Sequence, residues 1–237
     1  MKKAINLLVL CGLIVLNSPP TSYSANTDAL IPTTLLLLSS DSDIKTVTSL
    51  TGRIWMDRNL GAARIATSVS DIEAYGDLYQ WGRLSDGHEK RNSGMVSTLS
   101  DDDVPGHDDF ITVNGSPNDW RNPQNDNLWQ NTINVINNTC PQGFRLPTQA
   151  EFQEEIDSWT TQDAEGAFTS PLKLVMAGFR GSDGTVNSGG GMGLYWASTI
   201  DGSSAYKLEF YEFAGGAAFS DGSFYRACGL SIRCIKK

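Results

Sequence analysis

The side chains able to do chemistry in this sequence are few: two histidines, a run of clustered acids, some aromatics and the cysteines. His88 lies in Asp86-Gly-His-Glu89 and His107 in Pro105-Gly-His-Asp-Asp109, so each imidazole has carboxylates beside it, as divalent-metal and acid/base sites do. Neither fits a His-Glu-x-x-His helix or a cysteine–histidine zinc spacing. The plainer role is that each ring hydrogen-bonds the backbone of its own loop, and both are also candidates for a binding face. Asp101, Asp102, Asp103, Asp108 and Asp109 cluster hard oxygen donors. With neighbouring Asn side chains and carbonyls they would suit calcium as a loop staple, although no EF-hand spacing is present. Trp120, Trp129, Tyr211 and Phe224 are the aromatics expected on an exposed binding face, because flat rings stack on sugars and other apolar groups. Trp55, Trp159 and Trp196 fall on regular elements and are assigned to the core. Cys228 would be reactive only with a lowered pKa, which Arg226 would assist; the plainer reading is a buried, inert thiol.

The element that organises the chain begins at Cys140-Pro-Gln-Gly-Phe-Arg-Leu-Pro-Thr148. Pro147 cannot continue a strand and leaves Thr148 as an N-cap, and Glu151 three residues on completes a capping box. Phe152, Ile156 and Trp159 then form one apolar stripe at helical spacing, with Glu151, Glu154, Glu155 and Asp157 mostly off it. Upstream, Ile44–Thr48 and Arg53–Met56 suit paired strands about a turn at Gly52, and Ile72, Tyr75, Leu78 and Tyr79 predict a helix over 71–81 capped by Ser70. Leu84–Trp129 is one long irregular stretch rich in Gly, Asp, Asn, Ser and Pro. Leu172–Ala177, Gly193–Ser198, Ala205–Phe210 and Leu230–Ile235 read as strands, punctuated by Gly178–Gly193, Asp201-Gly202 and Gly215 to Asp221-Gly222. Two helices followed by an antiparallel meander make an α+β fold. Loops held on a rigid scaffold carry most binding sites, so the 84–129 stretch is expected to pack over the sheet and form a binding rim with Gly181–Gly193.

Residues 1–24 read as an export signal: Met1-Lys2-Lys3, an apolar run to Leu16, then small residues at Ser22 and Ser24. Residues 25–43 read as a linker and 44–237 as one domain, exported to the periplasm, the cell surface or the medium. The apolar run is short for a stable span, and Leu35–Leu38 is far too short for a second. The chain has a formal charge of −9, and loss of Lys2 and Lys3 leaves 16 basic against 27 acidic residues, or −11. Such a surface excludes nucleic acid as an expected partner. Three cysteines remain after cleavage, Cys140, Cys228 and Cys234, an odd number in a compartment that permits disulfides.

Several segments in series resemble one family. Cys140-Pro-Gln-Gly-Phe-Arg-Leu-Pro-Thr-Gln-Ala-Glu-Phe152 is similar to the Gly-x-Arg-Leu-Pro-Thr-Glu-Ala-Glu-Trp hallmark of the C-type-lectin-like branch that includes formylglycine-generating enzyme. With Gly52–Leu60, Tyr75–Arg83, Asp119-Trp-Arg121, Tyr195–Ser198 and Ser231–Ile235, it most resembles the Fibrobacter succinogenes major paralogous domain, over roughly residues 44 to 237. The resemblance implies a C-type-lectin-like fold, two helices packed on small antiparallel sheets with a long irregular loop insertion. It pairs Cys140 with Cys234 and leaves Cys228 spare, while a Cys228–Cys234 hairpin bridge stays open from the residues alone. The catalytic relative uses two further cysteines, of which Cys228 could stand for one at most, so a non-enzymatic module that binds a carbohydrate or a cell-surface protein is expected, with an oxidase of that kind or a structural component of an envelope or extracellular assembly as the alternatives. The calcium–sugar motifs of the lectins are not matched: the comparable strand reads Trp196-Ala-Ser198, and Pro123-Gln-Asn125 is only an echo.

Overall fold

The structure, a computed structural model, describes residues 44–130, 135–187, 189–212 and 218–237. The expected export signal and linker lie outside the described residues. In chain order the elements are β1 (Thr46–Thr48), β2 (Ile54–Met56), β3 (Tyr79–Gln80), β4 (Met95–Val96), β5 (Phe110–Ile111), β6 (Phe144–Arg145), α1 (Gln149–Ser158), α2 (Ala164–Thr169), β7 (Phe179–Arg180), β8 (Val186–Asn187), β9 (Met192–Asp201), β10 (Ser204–Tyr211), β11 (Phe219–Tyr225), β12 (Gly229–Leu230) and β13 (Ile235–Lys236). The fold is α+β. Small sheets run β1-β2-β13-β6, β11-β10-β9 and β3-β12-β7-β8, all antiparallel, and β4 pairs with β5 in parallel. The first and last strands of the domain therefore share one sheet, with β2 between them.

α1 starts where the capping box requires. The Thr148 hydroxyl accepts the Glu151 N–H at 3.2 Å, and Glu151 Oε2 accepts the Thr148 N–H at 2.8 Å. Arg145, two residues before Pro147, closes on the same carboxylate with NH2 at 2.7 Å and NH1 at 2.8 Å. Burial alone would raise the Glu151 pKa, but Arg145 and Thr148 outweigh it and hold the group below its ordinary value. The apolar stripe of α1 packs with Trp55, Tyr195, Leu208 and Phe210. Two acids depart from the expected wet face: Glu151, held in the capping box, and Glu155, which is buried and accepts Ser49 Oγ at 2.5 Å and Thr51 Oγ1 at 2.6 Å.

The longest strands, β9 and β10, separate two cores by their alternation. Tyr195, Ala197, Leu208 and Phe210 face the helices, whereas Leu194, Trp196 and Ala205 face a second core with Trp81, Ile111, Trp120 and Trp129. The long irregular stretch thus packs over this sheet and supplies Ile111, Trp120, Leu128 and Trp129 to this second core. The Cys140–Cys234 disulfide closes a separation of 94 residues inside that second core, leaving Cys228 free and buried. By loop-closure entropy such a bridge contributes roughly 4 to 5 kcal/mol.

Four expectations give way. The helix over 71–81 is only a 3₁₀ turn at Ile72–Ala74, capped by Asp71 rather than Ser70. Asp71 binds the Thr67 N–H, the Thr67 hydroxyl and the Glu73 N–H, and Gly76 at φ +68° lets the chain pass so close to Leu60 that a Cβ would lie 2.4 Å from its carbonyl oxygen. Leu172–Ala177 is a buried apolar run but no strand: its backbone groups go to Tyr195 Oη, Val69 and Ala167 instead of a ladder. Leu230–Ile235 is broken into β12 and β13. Asp221-Gly222 is no turn but lies inside β11, where the missing side chain of Gly222 leaves room for Lys207 Nζ.

Thr148→Ala is expected to lower the unfolding free energy by about 0.5 to 2 kcal/mol, read as a drop in the urea midpoint. Because the folded pKa of Glu151 lies below 4.5, its share of the stability is present above pH 4.5 and is lost as pH falls through the folded value. An unchanged midpoint at pH 7 would show that the box contributes nothing.

Candidate functional site

A cleft of about 620 Å³ opens between the β7–β8 hairpin and the end of β11. The hairpin turns at Gly181-Ser-Asp-Gly184. Gly181 N–H donates to Thr185 O, Gly184 N–H donates to Gly181 O, and Asp183 accepts the Thr185 N–H at 2.9 Å and its hydroxyl at 3.1 Å. Gly184 takes φ +87°, a value that favours glycine. Arg180, nine-tenths and more buried, fixes this hairpin to the long stretch. Its Nε donates to Gly184 O, NH1 to Ser93 Oγ and NH2 to Ser93 O, and the guanidinium lies 4.2 Å from the centre of the Phe110 ring.

The opposite side is Ser223, Phe224 and Tyr225 at the end of β11. Phe224 meets Phe179 edge to face at 5.5 Å, and the buried Lys207 ammonium lies 5.6 Å from the Phe224 centroid. Lys207 in turn pairs with Glu209 at 2.5 Å, which accepts the Tyr211 hydroxyl at 3.0 Å. Just beyond, Arg226 is completely buried, stacks over Trp81 at 4.4 Å and pairs with Asp126 at 2.8 Å, so the end of β11 is also tied to the long stretch. Cys228 also lines the cleft but is itself only 4% exposed. Burial pushes its thiol up to about 12, against the Ser182 N–H that would lower it and with the Asp183 charge that raises it further. The inert reading of Cys228 stands, and Arg226 does not activate it.

Of the aromatics expected on a binding face, Phe224 lines this cleft and Tyr211 is half-buried on the same strand row as Lys207. Trp120 and Trp129 are core residues, at most 1% exposed. Their indole N–H groups are spent on Trp81 O and Asn137 O, and an aromatic with its polar edge satisfied indoors presents nothing to a ligand. His88 is fully buried as well. Its Nε2 accepts the Gln80 N–H at 3.1 Å, so the proton sits on Nδ1 and is donated to Asp86 at 2.6 Å. His107 is partly exposed, and its Nδ1 accepts the Asp109 N–H. The His107 ring holds its own loop's backbone, the plainer of the two roles considered, whereas the His88 ring ties its loop to the β3 backbone at Gln80.

The five acids expected to bind calcium do not converge. Asp103 pairs with Arg121 at 2.8 Å and accepts Asn125, Asp101, Asp102 and Asp108 are exposed, and Asp109 is half-buried with its carbonyl taken by Arg83. Among the described residues the one group able to bring three ligand atoms within 4.8 Å is Asp86, His88 and Glu89. Those atoms are already engaged: Asp86 also binds Arg83 Nε at 2.8 Å, and Glu89 accepts the Gly87 N–H. An arginine on the carboxylate and backbone donors on the rest describe a hydrogen-bonded knot rather than a cation site. Asp183 and Asn187 were marked in the sequence only as part of the Gly181–Gly193 segment, and Phe179 and Tyr225 were not singled out.

Burial lowers the His88 pKa, with Asp86 opposing and Arg83 adding to the effect. A folded value below 6.5 means that the unfolded chain takes up a proton first, so this group costs stability as pH falls below 6.5. Ring ¹⁵N shifts should accordingly show His88 neutral, with its proton on Nδ1, at pH 6. Titration at the ordinary value would contradict the knot.

No protein-family description, curated protein or solved structure matches this chain.

Proposed function

We propose that this chain is an exported, non-catalytic binding module of the C-type-lectin-like kind, related to the Fibrobacter succinogenes major paralogous domain. Its ligand site is the cleft between the β7–β8 hairpin and the end of β11. Support for the family comes from the order of the motifs, the Arg145–Glu151–Thr148 corner, the Cys140–Cys234 bridge and the return of the last strand to the sheet of the first. The observation that carries the function is the cleft itself. It combines aromatic residues, a half-exposed Tyr225 and the hydroxyls of Ser182 and Ser223, on two segments each fixed from behind by a buried arginine. The partner is a carbohydrate or a protein of a cell surface. Oxidase chemistry of the formylglycine-generating kind is disfavoured by Cys228, whose buried thiol stays protonated at neutral pH.

A small-fragment screen read by amide chemical-shift changes tests this assignment. Fragments are expected to perturb 181–187 and 223–228 before any other region. Responses confined to 101–109, or copper-dependent oxidation of a cysteine peptide by the protein, would overturn it.

A further inference from the structure

We propose that the cleft selects an organic cation, the ammonium group of an alkylamine such as a lysine side chain. This rests on the cleft being the ligand site. Among the residues that line it, Asp183 is the one charged side chain, and no described Lys or Arg pairs with it. Thr185 supplies each of its oxygens with one donor, which holds the carboxylate in place and leaves lone pairs on both oxygens for a further donor. The remaining lining includes three aromatic residues, Phe179, Phe224 and Tyr225, and aromatic rings attract ammonium groups through their electron-rich faces. Phe224 already does this once, for Lys207, whose charge Glu209 balances. Asp183 has no such balance. Its field reaches the bottom of the cleft, where it helps to raise the Cys228 thiol. At longer range the chain carries a formal charge of −9, which draws cations in and turns uronates and phosphates away. A carboxylate with no ion-pair partner among the described residues, the aromatic lining and the net negative charge of the chain together fit a primary or methylated amine better than a neutral or acidic ligand.

Titration of the full chain with N-acetyl-lysine methylamide, followed by amide shifts, tests this. Binding is expected at 181–187 and 223–228 with a Kd on the order of 1 mM, the range of a single ion pair in an open cleft. Acetylating the ε-amine, or replacing Asp183→Asn, should weaken binding about tenfold by removing one charge-assisted contact. Tyr225→Ala, at a half-exposed position, should weaken it several-fold with an unchanged melt. Cadaverine and a lysine-containing tripeptide separate the sources: tighter tripeptide binding assigns a polypeptide partner, tighter cadaverine binding a free amine. Equal binding of the acetylated compound, or shifts as large from methyl glucopyranoside, would overturn the proposal. If neutral fragments bind at the cleft and amines do not, this inference fails while the cleft remains the site; if nothing binds there, both fail.

Discussion

Arg83 has no access to water, and its guanidinium must find its hydrogen bonds inside the protein. It donates to Asp86, to Gln80 Oε1, and to the main-chain carbonyls of Asp109 and His107. Gln80 completes the arrangement, since its Oε1 accepts the Ile111 N–H and its Nε2 donates to Ile111 O and Ala227 O. Among the described residues, ten of the thirteen strands are only two or three residues long, too short to satisfy much backbone between them. Buried peptide groups left without partners would each cost about 1 to 3 kcal/mol, so long side chains must take over the work of a ladder. Arg180, Arg226 and Arg233 repeat the device, with Arg233 bound to Asn59, Leu172 O and Met56 O.

This constraint explains how a stretch with so little regular structure holds a site in place. Arg180 joins the β7–β8 hairpin to Ser93, and the Val113 N–H donates to Ser182 O, so one side of the cleft is braced by the long stretch. Arg226 braces the other through Asp126 and the Gly202 carbonyl. The acidic group of the cleft thus sits on a short turn, and its aromatics on strand ends, whose positions are set by buried charges some distance away.

What could be read in the sequence follows the reach of each interaction. The capped helix was legible because Thr148 and Glu151, the partners that start it, lie three residues apart. The bridge came with the resemblance, not from spacing, which left a Cys228–Cys234 bridge open. The apolar pattern misled at Leu172–Ala177, where every residue but Lys173 is buried and hydrogen bonds went to scattered partners. Over 84–129 the expected packing over the sheet is present, but Trp120 and Trp129, assigned to a binding face, are core, and the carbonyls of the stretch are served by Gln80, Arg83 and Asn137 from outside it. Of the cleft, Phe224 and the 181–193 segment were marked, but Asp183 and Tyr225 are brought together from positions some forty residues apart, and only the folded sheet order does that.

Native-state hydrogen exchange tests the central claim, that the long stretch is a rigid part of the domain because buried side chains satisfy it. The amides of Ile111, Val113 and Trp129, bonded to Gln80, Ser182 and Ile136, should be protected to within about tenfold of the Leu208 amide in β10, exchanging only when the whole domain opens. Exchange of these three at rates approaching those of the exposed turn at 201–203, while Leu208 stays protected, would contradict it.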